Sequence, residues 1–126
     1  MNEQTAPAFI ELVQGKSYTM DVSVSDSDSV AYDLSSGYTA AMVLKERTSD
    51  VVLDTLTSAA SRINLLDGTA DGLNVQLIWT SAQTSAILAD SSRFKGVAYL
   101  IGDLEIITGG ESTFVIRLQF RFRQTT

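Results

Sequence analysis

The sequence predicts an all-β domain, built as a sandwich or small barrel from seven or eight short strands. Three observations support this prediction. The final segment, residues 113–123, alternates strictly between apolar and polar residues, and a second alternation lies near the start, at residues 18–25. Turn-forming residues recur roughly every ten positions between the apolar segments. A period of two is typical of a strand with one buried face.

The last predicted strand, Thr113–Arg123, carries the strongest pattern. A helix would scatter its aromatic residues around the circumference, whereas a strand collects them on one side. Burial is worth about 1.5–3 kcal/mol for each large apolar side chain before the entropy cost is counted. We therefore predict that this strand anchors the core through one apolar row, formed by Phe114, Ile116, Leu118, Phe120 and Phe122.

The remaining strands follow from shorter alternations and from the turns between them. Glycine and aspartate mark turns because they tolerate positive φ angles. Turns are predicted at Gly15-Lys16, Asp26–Ser29, Ser35–Gly37 and Gly109-Gly110. The predicted strands are Phe9–Gln14, Tyr18–Ser25, Tyr38–Lys45, Val51–Leu56, Ile63–Leu66, Leu73–Trp79 and Arg93–Ile107, the last with a bend at Gly102.

One short helix is predicted near residues 81–88. Thr80 and Gln83 have the spacing of a capping box, in which two side chains satisfy free amides at the helix start. Ala82, Ala86 and Ile87 would then form a small buried stripe.

Length and composition predict one domain. The chain has 126 residues, of which 44% are hydrophobic, enough for a single core. Residues 1–8 are predicted to be an N-terminal extension and residues 9–126 the domain. The extension lacks a basic start followed by an apolar run, and no apolar stretch reaches the roughly 20 residues that span a bilayer. We expect no signal peptide and no membrane partner, and a protein made in the cytoplasm that leaves it only within a larger assembly.

The chain contains no cysteine and no histidine. Disulfides and thiolate metal sites are impossible, and the commonest general base and metal ligand is missing. We predict a non-enzymatic protein without a cofactor. Carboxylate-only chemistry and a serine–lysine pair stay open in principle.

Two acidic motifs are candidate sites. Asp26, Asp28 and Asp33 do not fit a calcium-binding EF-hand loop, because the required ligand and glycine positions hold other residues. A solvated turn is the preferred interpretation, with a looser calcium site as the alternative. Asp67-Gly68 and Asp71-Gly72 are interpreted as turns rather than as a glycosidase carboxylate pair, which would need a raised pKa and sugar-binding aromatics.

The charges suggest a docking surface on the last strand. The net charge of −6 argues against a nucleic-acid partner. Residues 1–90 carry a net charge of −8, whereas residues 91–126 carry +2. Arg117, Arg121 and Arg123 lie with Val115 on the strand face opposite the phenylalanines, where arginines suit acidic partners. The alternative is a solvent face whose charges discourage aggregation.

The order of several short motifs resembles a known family. Tyr32–Ala40 leads directly into an apolar strand that ends at Lys45. Asp71-Gly72-Leu73 opens a later strand, Gln83–Leu88 forms a short helix, and Arg93-Phe94 leads into the penultimate strand. This order, over about residues 9–123, resembles the small immunoglobulin-like domains of baseplate and tail-fibre proteins of tailed bacteriophages.

The resemblance implies an immunoglobulin-like β-sandwich and a structural role in the virion. The implied function is a tail or baseplate adaptor that docks neighbouring virion subunits and forms a homo-oligomer in the particle. A capsid decoration protein bound to the major capsid protein is the first alternative. A carbohydrate-binding or adhesin-like module is the second.

Overall fold

The computed structural model describes residues 9–47, 51–69, 72–87 and 97–123. It contains eight strands and one short helix in these ranges. The strands are β1 (Ile10–Val13), β2 (Tyr18–Val22), β3 (Tyr38–Glu46), β4 (Val52–Thr57), β5 (Ile63–Leu65), β6 (Val75–Trp79), β7 (Val97–Thr108) and β8 (Glu111–Arg123); the helix, α1 (Ser81–Ser85), lies between β6 and β7.

The strands form two sheets. The larger has the order β1-β8-β7-β3-β4 and the smaller the order β2-β6-β5. All pairs are antiparallel except β1 with β8, which is parallel. β4 pairs with β3 and can be lettered C′, the extra strand of some immunoglobulin-like domains. With this lettering, β3, β7 and β8 correspond to strands C, F and G of an immunoglobulin-like sandwich, and β2, β6 and β5 correspond to strands B, E and D of the opposing sheet. The predicted all-β sandwich is confirmed.

The core lies between the two sheets and follows the predicted alternation. From β6, Val75, Leu77 and Trp79 are buried and alternate with the half-buried Gln76 and Ile78. The edge of the Trp79 ring meets the ring of Phe120 on β8, with centroids 5.7 Å apart and planes at 71°. Edge-to-face packing of this kind is favourable for aromatic rings. This contact joins the two sheets at the centre of the core.

The apolar row of β8 faces the core along its whole length, but its burial is uneven. Phe120 and Phe122 are fully buried, whereas Phe114, Ile116 and Leu118 are only partly buried. The reason is the difference in strand length. β8 has 13 residues and the strands of the smaller sheet have three to five, so the smaller sheet covers only part of the β7–β8 hairpin.

Helix α1 has the predicted capping box, but it ends at Ser85 and its buried residues differ from the prediction. Ile87 is buried as predicted, whereas Ala82 and Ala86 are exposed and Thr84 is buried in their place. The Thr84 hydroxyl accepts a hydrogen bond from the Gly15 amide at 3.0 Å and donates one to the Lys16 carbonyl at 2.9 Å. A satisfied hydroxyl can be buried, and it fixes α1 against the β1–β2 turn.

The pairing of strand β7 is unbroken at Gly102, where the sequence predicted a bend. Its ladders with β3 and β8 continue through this residue, and the register shift lies instead between Ile106 and Ile107. Gly102 serves packing, because a Cβ there would lie 2.7 Å from the Met42 sulfur. The first four residues of the predicted Arg93–Ile107 strand lie outside the described residues.

Within the described ranges, no helix combines the length and the apolar character required to cross a membrane.

Candidate functional site

The outward side of the smaller sheet is a polar, solvated surface. Asn64 donates a hydrogen bond to the side-chain oxygen of Gln76 at 2.9 Å, and Gln76 donates to Asp21 at 3.4 Å. These three side chains lie side by side across β5, β6 and β2. These two hydrogen bonds tie the three side chains to one another within the sheet.

The outward side of the larger sheet is different, and we call it the outer face. It consists of the side chains of β1, β3, β4, β7 and β8 that point away from the core, together with those of two residues next to strands. The members used below are Phe9, Glu11, Val43, Lys45, Arg47, Val52, Tyr99, Ile101, Asp103, Glu105, Val115, Arg117, Arg121 and Arg123.

Exposed apolar side chains concentrate on the outer face. Seven large hydrophobic residues are exposed in the described part of the chain, and four of them, Phe9, Val43, Val52 and Val115, belong to this face. Val115 is 60% exposed. Single exposed apolar residues are normal, but several on one face are typical of an interaction surface.

A half-open depression of about 350 Å³ lies near the centre of the outer face. Its apolar lining comes from Val43, Ile101 and Val115, and charged side chains from Lys45, Asp103, Glu105 and Arg117 surround them. An apolar centre with a charged rim is the usual composition of a protein-binding patch.

The four residues predicted as an interface all lie on the outer face, at one side of this depression. Val115, Arg117, Arg121 and Arg123 point away from the core, as the alternation predicted. The arginine side chains remain 45–62% exposed. Their role in binding a partner stays a prediction.

The sequence did not reveal that these arginines are paired with acids on neighbouring strands. Arg117 donates two hydrogen bonds to Asp103 on β7, at 2.9 and 3.1 Å. Glu11 on β1 lies 3.0 Å from Arg123 and 3.7 Å from Arg121. The basic row is thus part of a mixed surface of both signs, because strand pairing places β7 and β1 on either side of β8.

The Asp103–Arg117 pair has a clear electrostatic signature. The hydrogen bond from Arg117 lowers the pKa of Asp103 below its usual 3.8, opposed by partial desolvation and helped by the charges of Arg117 and Lys45. The same hydrogen bond raises the pKa of Arg117. Both groups are therefore charged across the physiological range.

An aromatic cluster occupies one end of the outer face. The rings of Phe9 and Tyr99 are 5.0 Å apart and inclined at 60°. The Arg47 guanidinium carbon lies 5.1 Å from the Tyr99 ring centre and 5.9 Å from that of Phe9. These are cation–π distances, and they hold the arginine in a fixed position beside exposed apolar surface.

The acidic motifs act as turn caps. Asp26 accepts hydrogen bonds from the amides of Asp28 and Val30 at 2.8 and 3.0 Å. Asp33 accepts from the hydroxyl and the amide of Ser35, and these bonds lower its pKa. Among the described residues, no three acidic side chains converge to hold a metal ion.

The carboxylate pair considered for glycoside cleavage gains no support from geometry. Amide and hydroxyl hydrogen bonds from Thr69 lower the pKa of Asp67, the reverse of what a general acid needs. Asp71 lies outside the described residues. Trp79 is buried in the core, so it cannot stack on a sugar.

Asn74 is one of three buried polar or charged residues of the described chain, with Glu46 and Thr84, that the sequence did not predict. Asn74 is fully buried, and its amide nitrogen donates to the carbonyls of Val24 and Tyr32 at 2.7 and 2.9 Å. Its side-chain oxygen accepts from the Val24 amide at 2.8 Å. Asn74 therefore joins three chain segments at one end of the smaller sheet.

Comparisons with known proteins give no family. No protein-family model matches the chain, and no curated protein sequence matches it.

Proposed function

We propose that this protein is a non-enzymatic structural protein of a bacteriophage virion, acting as a tail or baseplate adaptor that docks neighbouring subunits. The outer face is the proposed docking surface. The observation that carries the docking role is the clustering of exposed apolar side chains, Val43 and Val115 above all, in a depression with a charged rim. The placement in a virion rests on the motif order that resembles phage baseplate domains.

The shape and chemistry of the surface support protein binding over small-molecule turnover. The depression is only about half enclosed, whereas small-molecule sites usually enclose most of the ligand. Its best-defined carboxylate, Asp103, is bonded to Arg117 and has a lowered pKa. A carboxylate held ionised in this way suits an ion pair with a partner rather than proton transfer.

A capsid decoration protein is the alternative within the same class, since it would use the same surface on a different partner. A carbohydrate-binding module is less well supported. A sugar platform needs a flat, exposed aromatic surface, whereas the exposed Phe9 ring and the half-buried Tyr99 ring are inclined at 60° and Arg47 packs against them.

Quantitative mass spectrometry of purified particles, separated into heads and tails, tests the proposal. A tail or baseplate adaptor is expected in the tail fraction in a few to tens of copies. Enrichment in heads in hundreds of copies would select the decoration role. Absence from both fractions would overturn the virion proposal.

A further inference from the structure

The charges of the outer face are segregated along the strands. Four basic residues lie at the end formed by the start of β7 and the end of β8: Lys45, Arg47, Arg121 and Arg123. Glu11 pairs with two of them. Asp103 and Glu105 lie further along β7, and Arg117 is bonded to Asp103. With these pairs counted, one end of the face has a net positive charge, and the other has a net negative charge because Glu105 is added to the bonded Asp103–Arg117 pair.

We propose that the partner on this face is a second copy of the chain. The two copies stack face to face about a two-fold axis that lies in the interface and runs across the strands. This axis reverses the strand direction, so that the acidic end of each copy meets the basic end of the other. The proposal deepens the docking role above and rests on it.

Such an interface is isologous, because each contact occurs twice. Residues near the axis meet their own counterparts, so the centre of the face must tolerate self-contact. The centre contains the apolar residues Val43, Ile101 and Val115 together with the bonded Asp103–Arg117 pair. Apolar side chains, and an ion pair whose opposite charges cancel within each copy, can face their own counterparts with less repulsion than an unpaired central charge would produce.

The face is large enough for a stable dimer. Five strands about 4.8 Å apart, and about ten residues of β7 rising about 3.3 Å each, cover roughly 20 by 33 Å, or about 650 Å² before side-chain relief is added. A standard interface buries about 800 Å² on each partner. The two areas are of the same order.

The overall charge favours contact through this face. Five basic and three acidic residues are assigned to it, out of nine basic and fifteen acidic in the chain. The rest of the chain therefore has four basic and twelve acidic residues. Two copies repel each other when their acidic surfaces approach, whereas the outer face carries both signs and can complement itself.

The edge of the larger sheet at β4 is less suited to pairing. The Arg62 guanidinium donates to the Thr55 carbonyl at 3.3 Å, and Asp54 accepts from the Thr55 amide at 2.9 Å. The Thr57 carbonyl accepts from the Arg62 amide at 3.1 Å. These bonds occupy backbone groups that an added strand would use. Stacking of faces is thus favoured over strand addition at this edge.

The first test is sedimentation velocity of the purified chain. Concentrations up to about 100 μM detect weak as well as tight complexes. A monomer–dimer equilibrium is expected, with an association constant that falls as salt is added. A chain that stays monomeric over this range would overturn the second-copy inference. The docking proposal would remain, since a different partner would then occupy the face.

A charge-reversal pair tests the arrangement of the two copies. Glu105→Lys makes both ends of the face basic, and Lys45→Glu weakens the basic end and adds acidic charge. Each variant alone is expected to dimerise at least about tenfold more weakly, because like charges then face each other. Circular dichroism checks that both variants fold.

Mixing the two variants should restore dimerisation. In the mixed pair, the lysine introduced by Glu105→Lys would face the glutamate introduced by Lys45→Glu on the other chain. The native Lys45 of the first variant and the native Glu105 of the second would face each other as well. Recovery of the association constant in the mixture, but in neither variant alone, supports the antiparallel stack. The antiparallel stack would be overturned if neither substitution changed the association constant. It would also be overturned if the mixture associated as weakly as each variant alone.

Discussion

The guanidinium of Arg62 forms two parallel hydrogen bonds with the carboxylate of Asp54, both at 2.9 Å. The two side chains are only 12% and 16% exposed. Arg62 follows the turn after β4, and the pair covers the free edge of that strand at Thr55. A bidentate pair held away from water is stronger and more directional than a surface ion pair. We therefore infer that this pair protects the edge of β4 from pairing with another strand.

Removal of one partner of this pair should be costly. Arg62→Ala leaves Asp54 largely buried without its counter-ion, and we expect the free energy of unfolding to fall by about 3 kcal/mol. Urea denaturation measures this change. Light scattering should also show faster aggregation, since the edge of β4 becomes available for pairing. Arg117→Ala, which breaks an exposed pair, is the control and should change stability little. Equal effects of the two substitutions would contradict the assignment.

Asn74 should be a second sensitive position. Asn74→Ala leaves the Val24 amide and the carbonyls of Val24 and Tyr32 without their buried partner, and we expect a loss of about 2–3 kcal/mol in the free energy of unfolding. Asn64→Ala removes a single hydrogen bond on the outward side of the smaller sheet and is expected to cost less than about 1 kcal/mol. Urea denaturation of both variants gives the comparison. A smaller loss for Asn74 than for Asn64 would show that the bridge is unimportant.

The pKa of Asp103 provides a test of its bond to Arg117. The folded-state pKa lies below 3.8 because Arg117 donates to the carboxylate. Its contribution to stability is therefore present above about pH 4 and is lost as the pH falls through the lowered pKa. Arg117→Gln should raise the pKa of Asp103 toward 3.8, as followed by NMR titration of the carboxyl carbon. The pKa of Asp33 depends on Ser35 and should stay low. An unchanged Asp103 pKa would mean that the pair does not persist in solution.

Gly102 should resist enlargement. In Gly102→Ala the new methyl group would approach the Met42 sulfur to 2.7 Å inside the core. We expect a loss of about 1–3 kcal/mol from this overpacking. The second substitution Met42→Val shortens the side chain and should recover part of the loss, as measured by thermal unfolding of the single and double variants. The steric explanation would be contradicted if the double variant lost as much stability as Gly102→Ala and Met42→Val lose together when each is measured alone.

The features that the sequence revealed are those that depend on local pattern. The alternation of β8 predicted which residues face the core and which face outward, and the Thr80–Gln83 spacing predicted the start of α1. Both signals lie within a dozen residues of chain. The predicted burial of Ile87 is confirmed, but that of Ala82 and Ala86 was wrong, because Thr84 is the residue of α1 whose hydroxyl contacts the β1–β2 turn.

The pairing of the arginines depends on register and was not predictable from the alternation alone. A regular hairpin closed at Gly109-Gly110 pairs Thr108 with Glu111, and continued without interruption it would place Asp103 opposite Ile116. The register shift between Ile106 and Ile107 instead places Asp103 opposite Arg117. One extra residue in the ladder thus decides that acid and base share a face.

Asn74 shows a second limit of local pattern. It continues the polar positions of the β6 alternation, which predict an outward side chain. In the structure it precedes β6 and is buried, because the loops containing Val24 and Tyr32 close over it. These contacts join residues 42 and 50 positions apart in the chain. Only the assembled fold brings them together.

We propose that this protein joins an assembly through its outer face, at Val115 and the neighbouring residues. The most direct test measures the copy number of the Val115→Asp variant in purified particles and compares it with that of Val30→Asp. Val30 is a matched control because both valines are 60% exposed and Val30 lies in the loop after β2, away from the outer face. We predict that Val115→Asp is lost from the particles while Val30→Asp is incorporated at the level of the unaltered chain. Equal incorporation of the two folded variants would contradict the account.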